Sequence, residues 1–522
     1  MALGIVGCGD KAADAEAVNT NIQAKENKEK EKTNEEKNEP IEIDESAKEI
    51  KKDTDVVVVG GGVAGLSAAV SAAEEGAKVI LLEKMPMVGG TGNFAEGIFA
   101  VESNLQRNEN VNTSRDEAFN IMMDYSHWRA DAKIARAFVD KSADSIDWLE
   151  QKGVEFSHLT AINPGGLRTW HIFDGRGAAM SKALQAEAEK LGVEILLETT
   201  GKKLKMNDNN EVAGIIAVDQ DGSNVNITAS SVIIASGGFA NNDAMLEKHT
   251  NASNVEPVGS VGKLGEGIQM AWEVGADEKG TDVLQLYRPG VPGEATDSHL
   301  SAAARQPHLW INKNGERFCN ETVIFEWPYA GNALANQEDG IMHVVFDSNT
   351  KEYMMNEGID IGVGVMVPVG TKLDELEEAL KKGIENNDVV EAKTIKDLAK
   401  ALEIDEEVLN DTISKYNSAD EIKQDGEFAK DSKYIQSITE GPFYAIKSKS
   451  HFLGTLGGIR INDKAEVINT ENNIIKGLYA AGNDAGGMYG DSYDLTIPGG
   501  TIGFAVNFGR IAGENAAEFI VK

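Results

Sequence analysis

The chain has 522 residues, 41% of them hydrophobic and 26% charged, and its 85 acidic side chains outnumber its 50 basic ones to give a net charge of −35. This length allows two or three domains, and the composition is that of a globular protein with a substantial core. The acidity excludes nucleic acid as a partner, because phosphate binding needs a basic patch. With only Cys8 and Cys319 present, neither a disulfide framework nor a metal site is expected.

The first residues resemble the lipobox of a bacterial lipoprotein, in which a cysteine becomes the lipidated N-terminus. Ile5-Val6-Gly7-Cys8 carries the pattern, although fewer residues precede Cys8 than a signal peptide requires. Residues 11–52 are rich in Lys, Glu and Asn and cannot bury a core. We therefore expect residues 1–52 to be a lipoprotein-like N-terminus and disordered tether of an extracytoplasmic protein, anchored to the membrane only through Cys8. The alternative is an ordinary disordered N-terminus of a cytoplasmic protein.

A complete βαβ unit is predicted from residue 53 onwards. The β-branched run Val56 to Val59 is typical of a strand that is buried on both faces. It leads into Gly60-Gly61-Gly62-Val63-Ala64-Gly65, an Ala-rich helix to about Glu75, and a second strand that ends at Glu83. Such a unit places the pyrophosphate of a dinucleotide on the helix N-terminus, where free N–H groups favour anions.

The residues of this fingerprint have distinct physical roles. Gly60 allows the tight turn, Gly62 lets the backbone approach the pyrophosphate, and Gly65 lets the helix pack closely on the strand. Glu83 is placed to hold the adenosine ribose hydroxyls. Strand, glycines, helix and terminal acid agree, so the sequence predicts a dinucleotide site.

Further along, the character of the chain changes twice. From about Asp282 to Tyr444, prolines, aromatic residues and exposed helices dominate, and glycine-rich nucleotide-fold character then returns. Gly89 to Asn93 supplies small residues and backbone donors along which an isoalloxazine could pass. Pro498 to Gly503 opens an apolar helix, and a helix N-terminus beside the flavin N1–C2=O edge would stabilise anionic reduced flavin. These segments favour FAD over NAD.

The predicted FAD contacts lie in five short segments of the chain. They are Gly60, Gly62, Ala64, Gly65, Glu83, Lys84, Gly90, Thr91, Gly92, Gly237, Gly238, Gly482, Asn483, Gly499, Thr501 and Ile502.

At these motifs the chain resembles the flavoprotein family of fumarate reductase, succinate dehydrogenase, urocanate reductase and 3-ketosteroid dehydrogenase. The resemblance covers residues 53–522 and rests on VVVVGGGVAGLSAA, LLEKMPMVGGTGN, ASGGF, WINKNGERFCNE, GLYAAGN and FGRIAGENAA. It implies an α/β fold in which a Rossmann-like FAD-binding domain, residues 53–284 and 446–522, is split by an inserted α+β capping domain, residues 285–445. Members in membrane complexes attach FAD to a histidine, and none lies between Met85 and Asn104, so non-covalent FAD is expected.

The chain departs from the family where fumarate reductases hold a dicarboxylate. Counting from Arg317, the position of the proton-donating arginine falls at Phe325, and that of a substrate-binding histidine falls at Gly454. The segment that carries a second carboxylate-binding arginine is replaced by residues 490–494, and Tyr287 stands where fumarate reductases place a histidine. The pocket is therefore expected to be less cationic and more aromatic, and fumarate is not the expected substrate.

Four donors remain as candidate catalytic residues: Tyr287, Arg288, Tyr489 and Tyr493. A phenol can protonate a carbanion, and an arginine can hold a carboxylate or polarise a carbonyl. A structural ion pair is the alternative for Arg288, and core packing is the alternative for the tyrosines. His308 and Glu326 are further candidates.

The resemblance and these residues together predict an FAD-dependent ene-reductase. Reduced flavin would give hydride to a double bond activated by a carbonyl or carboxylate in a small unsaturated acid or ketone, and an external donor would supply electrons. Two alternatives stay open. One is a dehydrogenase of the 3-ketosteroid type, although that group's Tyr-Pro-Gly is here Ile497-Pro498-Gly499. The other is an envelope flavin electron carrier, which would gain nothing from a capping domain.

Overall fold

A computed structural model describes residues 43–44, 46–162, 166–250, 255–259, 261–362 and 367–521 of the protein. The lipobox-like Cys8 and the tether up to residue 42 lie outside the described residues. Strand Glu49–Asp53 pairs in parallel with Asn224–Thr228, so regular structure begins before residue 53. Besides the backbone pairing, Ile50 packs against the main core and Asn226 donates to Glu49 at 3.0 Å, so a single large apolar residue is enough for this charged segment to join the sheet.

A six-stranded sheet forms the centre of the fold. Its order is Glu466–Ile468, Ile474–Ala480, Ser231–Ile234, Val56–Val59, Val79–Leu82 and Glu194–Leu196. All neighbouring strands are parallel except the first pair, which is antiparallel. Val56–Val59 and Val79–Leu82 are buried along their whole length, as expected of parallel strands covered on both faces. The predicted βαβ unit is therefore confirmed.

The helix Gly500–Val521 packs on the helix Val63–Glu74 at close range. Glycine makes this possible, because a Cβ on Gly509 would lie 2.4 Å from the carbonyl oxygen of Ala64. The segment that follows the insertion thus returns to cover the first helix of the dinucleotide fold.

Smaller sheets flank the central one. One has four strands: Glu49–Asp53, Asn224–Thr228, Val212–Val218 and Thr200–Met206. Three others have three strands each. The first consists of Gly97–Phe99, Trp170–Phe173 and Phe156–Thr160, the second of Glu256–Pro257, His451–Thr455 and Leu284–Leu286, and the third of Glu278–Lys279, Gly458–Arg460 and Ala485–Gly486.

The inserted region has its own sheet and its own cores. The sheet runs Leu309–Ile311, Ile341–Asp347, Phe443–Lys449 and Val389–Ala392, with all neighbours antiparallel. Its buried residues form clusters within 291–446, separate from the large cluster around the central sheet. The architecture is the predicted α/β fold with an α+β insertion, while the limits 285 and 445 stay predictions.

The remaining helices lie around these sheets. In chain order they are Asn104–Asn108, Arg115–Tyr125, Ala132–Gln151, Arg176–Lys190, Asp243–His249, Glu266–Glu273, His299–Ala303, Trp327–Ala335, Ser348–Asn356, Leu376–Glu385, Ile395–Ala401 and Glu406–Glu421, with 3₁₀ turns at Gly90–Phe94, Glu321–Phe325, Glu338–Gly340, Ser432–Tyr434 and Gly482–Asp484. Among the described residues, none of the helices combines the length and apolar character needed to cross a bilayer.

Candidate active site

The glycine loop leaves open space at the N-terminus of the helix Val63–Glu74. No side chain caps this end, and a Cβ on Gly62 would meet no atom within 4 Å. Gly65 behaves in the opposite way, because its Cβ would lie 1.8 Å from the carbonyl oxygen of Gly60. A helix N-terminus bordered by open space fits the pyrophosphate of FAD, since it offers backbone donors and the positive end of the helix dipole.

The predicted FAD segments converge on this helix end. A Cβ on Gly92 would lie 2.3 Å from the Val63 side chain and 3.5 Å from Ile502 of the C-terminal helix, and a Cβ on Gly482 would lie 2.9 Å from the Cβ of Ala64. Segments that lie far apart in the sequence therefore border one space, as a bound dinucleotide requires. Their contacts with FAD stay predictions.

Glu83 lies at the end of the second strand and is almost fully buried. Its Oε2 accepts from the backbone N–H of Gly61 at 2.6 Å, and its Oε1 accepts from that of Met85 at 2.8 Å. Burial raises the pKa of Glu83, and these N–H bonds oppose the rise. The carboxyl group is thus fixed beside the glycine loop. The neighbouring Lys84 pairs with Glu266 at 2.9 Å.

Asp484 organises the backbone of the predicted FAD segment at Gly237 and Gly238, and the sequence analysis missed it. Its fully buried carboxyl group accepts from the backbone N–H groups of Ser236, of Gly237 at 3.1 Å and of Gly238 at 2.8 Å. These donors are therefore engaged within the protein, and any contact of Gly237 or Gly238 with the flavin has to come from other atoms. The sequence feature that could have identified Asp484 is its place two residues after Gly482, at the glycine turn.

The four candidate catalytic residues lie in linked aromatic contacts. The rings of Tyr489 and Tyr493 are 5.7 Å apart, and the Tyr489 hydroxyl hydrogen-bonds the Thr501 hydroxyl at 3.0 Å. Burial raises the pKa of Tyr493 to about 12, whereas hydrogen bonds with Gln285 and Thr501 oppose the rise. Tyr493 is therefore a neutral donor at pH 7, beside the helix that is expected to face the flavin.

Tyr287 and Arg288 meet around Trp327. The Tyr287 ring packs edge-on against Trp327 at 5.2 Å, and the guanidinium carbon of Arg288 lies over the Trp327 ring. The helix that begins at Trp327 contacts the loop that carries Tyr493, because Asn332 donates to the Ser492 hydroxyl at 3.4 Å. Trp327 was not among the predicted site residues. Its position directly after the candidate Glu326 could have drawn attention to it.

Arg288 is a buried cation with unused donors. Only 3% of it is exposed, and in the described part of the chain its Nε and Nη1 have no hydrogen-bond partner. Burial lowers the pKa of Arg288 to about 10, so it stays charged at neutral pH. Burying unpaired donors of a charged group is costly, and a bound anion or polarised oxygen would offset that cost.

Phe325 and Gly454 stand at positions where fumarate reductases are expected to carry charged residues, and each has its own surroundings. Phe325 packs against Tyr434 with ring centroids 5.5 Å apart. A Cβ on Gly454 would lie 2.5 Å from Nδ2 of Asn483, so Asn483 already takes the space that a larger side chain would need. Phe325 and Asn483 thus occupy these two positions. The pocket still holds cations besides Arg288, because the guanidinium of the fully buried Arg305 lies 6.0 Å from the Tyr287 ring, and its Nη2 has no partner among the described residues.

His308 lies in the core of the inserted unit. It packs on Phe346 at 6.1 Å, and neither of its ring nitrogens has a hydrogen-bond partner among the described residues. Burial lowers the pKa of His308 to about 3, so the ring is neutral. Its carbonyl accepts from the ammonium of Lys430, which also lies 3.2 Å from Glu321. These contacts join His308 to a buried ion cluster and give it a structural role.

Asp494 is a second residue that the sequence analysis missed. Its Oδ1 accepts from the backbone N–H of Thr496 at 2.8 Å and from the Thr496 hydroxyl at 2.5 Å. Its Oδ2 is buried and has no partner in the part of the chain that the structure describes. Burial raises the pKa of Asp494 to about 7, so this carboxyl group titrates near neutral pH beside the two tyrosines.

Comparison with known proteins identifies the family of the chain. Residues 55–496 match a family model described as FAD binding domain. The chain is 36% identical over 478 residues to a vinyl phenol reductase of Lactiplantibacillus plantarum, covering 89% of this chain and 96% of that protein. It is 28% identical over 473 residues to a fumarate reductase (cytochrome) of Shewanella frigidimarina, covering 90% and 78%. An open flavocytochrome c3 fumarate reductase structure aligns with a TM-score of 0.70 at 25% identity, covering 90% of this chain and 79% of that chain.

Proposed function

The chain belongs to the FAD-binding-domain family of flavoproteins, and from that premise we propose that it is an FAD-dependent reductase of small alkenes conjugated with an aromatic ring or a carbonyl group. The observation that carries this proposal is the contact of Tyr287, Arg288 and Trp327 beside the tyrosines at the start of the C-terminal helix. Aromatic rings can enclose a flat substrate, and a buried cation can hold its oxygen.

The protein's residues would supply binding and proton transfer. Bound FAD, when reduced, supplies the hydride that one alkene carbon receives. Tyr493 gives its hydroxyl proton to the other carbon, because a phenol with a pKa of about 12 is protonated at pH 7. Arg288 holds the substrate oxygen. Where that oxygen belongs to a carbonyl group, negative charge develops on it, and the interaction lowers the barrier because it is strongest in the transition state.

The first substrate to test is 4-vinylphenol. A vinyl phenol reductase is similar over nearly its whole length, and Phe325 and Gly454 stand where a dicarboxylate would need charged groups. The protein should be photoreduced without oxygen and mixed with 4-vinylphenol, urocanate, cinnamate, an enone, a 3-ketosteroid and fumarate while flavin reoxidation is followed. We expect the aromatic alkenes to react fastest.

Other outcomes of this screen identify the alternatives. Fumarate reoxidising the flavin as fast as the best alkene would contradict the proposed substrate class. Reaction with redox proteins but with no alkene would identify an electron carrier. Reduction of the oxidised flavin by a saturated 3-ketosteroid would identify a dehydrogenase.

We propose that FAD is bound non-covalently, because no histidine lies between Met85 and Asn104. Acid precipitation should release yellow FAD into the supernatant. Colour that stays in the pellet would show a covalent bond.

The place of the protein in the cell is also a proposal. A lipid on Cys8, ahead of a polar segment, would hold the enzyme at the outer face of the cell membrane, where an external donor supplies its electrons. Cys8→Ala should move the protein from the detergent phase to the aqueous phase. If wild type and Cys8→Ala both stay in the aqueous phase, the result would favour a cytoplasmic enzyme.

A further inference from the structure

Only one of the two carboxyl oxygens of Asp494 has a hydrogen-bond partner among the described residues. Oδ1 closes a turn by accepting from both donors of Thr496, which accounts for a structural role of that oxygen. Oδ2 is also buried, with no partner among the residues described, and only 4% of the residue is exposed. A buried acceptor without a donor is costly, so the structural role leaves this half of the carboxyl group unexplained.

Titratable groups from three parts of the fold face Asp494. Tyr489 and Tyr493 come from its own loop, Tyr125 comes from the end of the helix Arg115–Tyr125, and Glu326 precedes the helix Trp327–Ala335. The charge of Asp494 raises the pKa of each of these tyrosines, and that of Glu326 raises the pKa of Asp494. The group is therefore within electrostatic reach of the proposed proton donor.

The Tyr125 side of this cluster reaches the protein surface. The Tyr125 hydroxyl donates to the carbonyl oxygen of Tyr493 at 2.9 Å. Its ring stacks on Tyr329 at 5.9 Å, and Tyr329 is 48% exposed. A half-exposed aromatic pair is thus hydrogen-bonded to the residue that directly precedes Asp494.

We propose that Asp494 is the internal acid that restores the proton of Tyr493 after each turnover. The proposal rests on the proposed function, in which Tyr493 gives its proton to the alkene carbon while reduced flavin supplies the hydride. The O–H bond of Asp494 then breaks, a new O–H bond forms on the Tyr493 phenolate, and the Asp494 carboxylate takes a proton from solvent along the Glu326 and Tyr125 side. Each cycle consumes one hydride and one proton, and all protein groups return to their starting state.

The acidities of the two groups support this direction of transfer. The pKa of Asp494 is raised to about 7 by burial, and that of Tyr493 is raised to about 12. A proton therefore moves downhill from the carboxyl group to the phenolate. Near pH 7 the carboxyl group is about half protonated, so solvent can refill it readily.

The test separates the first turnover from later ones. Photoreduced, FAD-loaded wild type, Asp494→Asn and Asp491→Asn are mixed with 4-vinylphenol, once with substrate in excess over enzyme and a continuous reductant, and once as a single flavin reoxidation. In Asp494→Asn the single reoxidation should stay within about twofold of wild type, because Tyr493 already carries its proton. Continuous turnover should fall by about 10²-fold, the usual loss for a missing acid–base group.

Asp491→Asn is the matched control. Asp491 lies in the same loop but is exposed and pairs with Arg129, so both of its rates should equal those of wild type. Wild-type turnover should fall as pH rises through about 7, because the acid must be protonated, and Asp494→Asn should lack this step. Infrared difference spectra across the same pH range, which need no turnover, should lose one carboxyl band in Asp494→Asn.

Each remaining outcome overturns a defined part of the proposal. Equal loss of the single and the continuous rates would make Asp494 a structural residue and reject the relay. Unchanged continuous turnover in Asp494→Asn would also reject it. Wild type that no alkene reoxidises would reject the proposed function, whereas identical carboxyl bands in wild type and Asp494→Asn would reject the relay alone.

Discussion

The guanidinium carbon of Arg288 lies 3.5 Å from the centre of the Trp327 ring. At this distance the planar cation rests on the ring face, an arrangement that favours arginine over lysine. The ring holds the plane of the guanidinium, while Nε and Nη1 keep their hydrogens without a partner in the described chain. The stack on Trp327 therefore fixes the direction in which the two unpaired donors of Arg288 point.

Arg288→Lys should lower kcat/KM for an enone substrate by about 10²-fold, the loss typical of one removed oxyanion donor. Lysine keeps the charge but loses both the stack on Trp327 and the forked donors. Steady-state kinetics would measure the loss. Arg129→Lys, an exposed arginine paired with Asp491, is the control and should change nothing. Full activity of Arg288→Lys would show that charge alone suffices.

Tyr493→Phe should lower kcat by about 10²-fold or more and leave KM nearly unchanged, because proton donation matters only in the transition state. Tyr489→Phe should have a smaller effect, since its hydroxyl is engaged with Thr501. Comparison of the two variants in steady-state assays decides which phenol is the donor. If Tyr493→Phe retains wild-type turnover, Tyr489 becomes the residue to test.

Gly62→Val and Gly65→Val should fail in different ways. The Gly62 side chain would enter open space, so the variant should bind no FAD and should unfold at the melting temperature of FAD-free wild type. The Gly65 side chain would collide with the Gly60 carbonyl, and forced packing of this kind costs about 1–3 kcal/mol or more. Circular dichroism and flavin absorbance measure both effects. Normal FAD loading of Gly62→Val would contradict the placement of the pyrophosphate.

Glu321→Gln should destabilise the inserted unit by about 3–5 kcal/mol, because it breaks a buried ion cluster and leaves a buried charge uncompensated. Glu321 is fully buried, accepts from Nε and Nη2 of Arg317, each at 2.9 Å, and lies 3.2 Å from Lys430. Glu427→Gln removes a more exposed partner of the same arginine and should cost about 0–1 kcal/mol. Urea unfolding of both variants gives the comparison.

The FAD part of the site could be predicted because its signals are local. Gly60, Gly65 and Glu83 lie in one βαβ unit whose spacing fixes their geometry. Asp484 and Asp494 could not be predicted in this way. Asp484 binds the backbone of Ser236, 248 residues away, and the importance of Asp494 depends on burial by elements on both sides of the insertion.

The same limit applies to the catalytic candidates. The sequence placed Tyr287, Arg288, Tyr489 and Tyr493 in one pocket only through resemblance to a family. The approach of the insertion to the first domain, seen where Tyr329 stacks on Tyr125, is one that no local pattern describes. The start at Glu49–Asp53 was also hidden, since Ile50 is the one large apolar residue of that strand.

The close contact between the helices Val63–Glu74 and Gly500–Val521 has a consequence for biosynthesis. At roughly 5–20 residues per second, the ribosome makes the second helix on the order of 20 to 90 s after the first. Throughout that interval the Ala-rich face of the first helix has no partner, and the nucleotide site is incomplete. The yield of active enzyme should therefore depend on chaperones that hold the nascent chain, and premature termination within the second helix should give a product that binds no flavin.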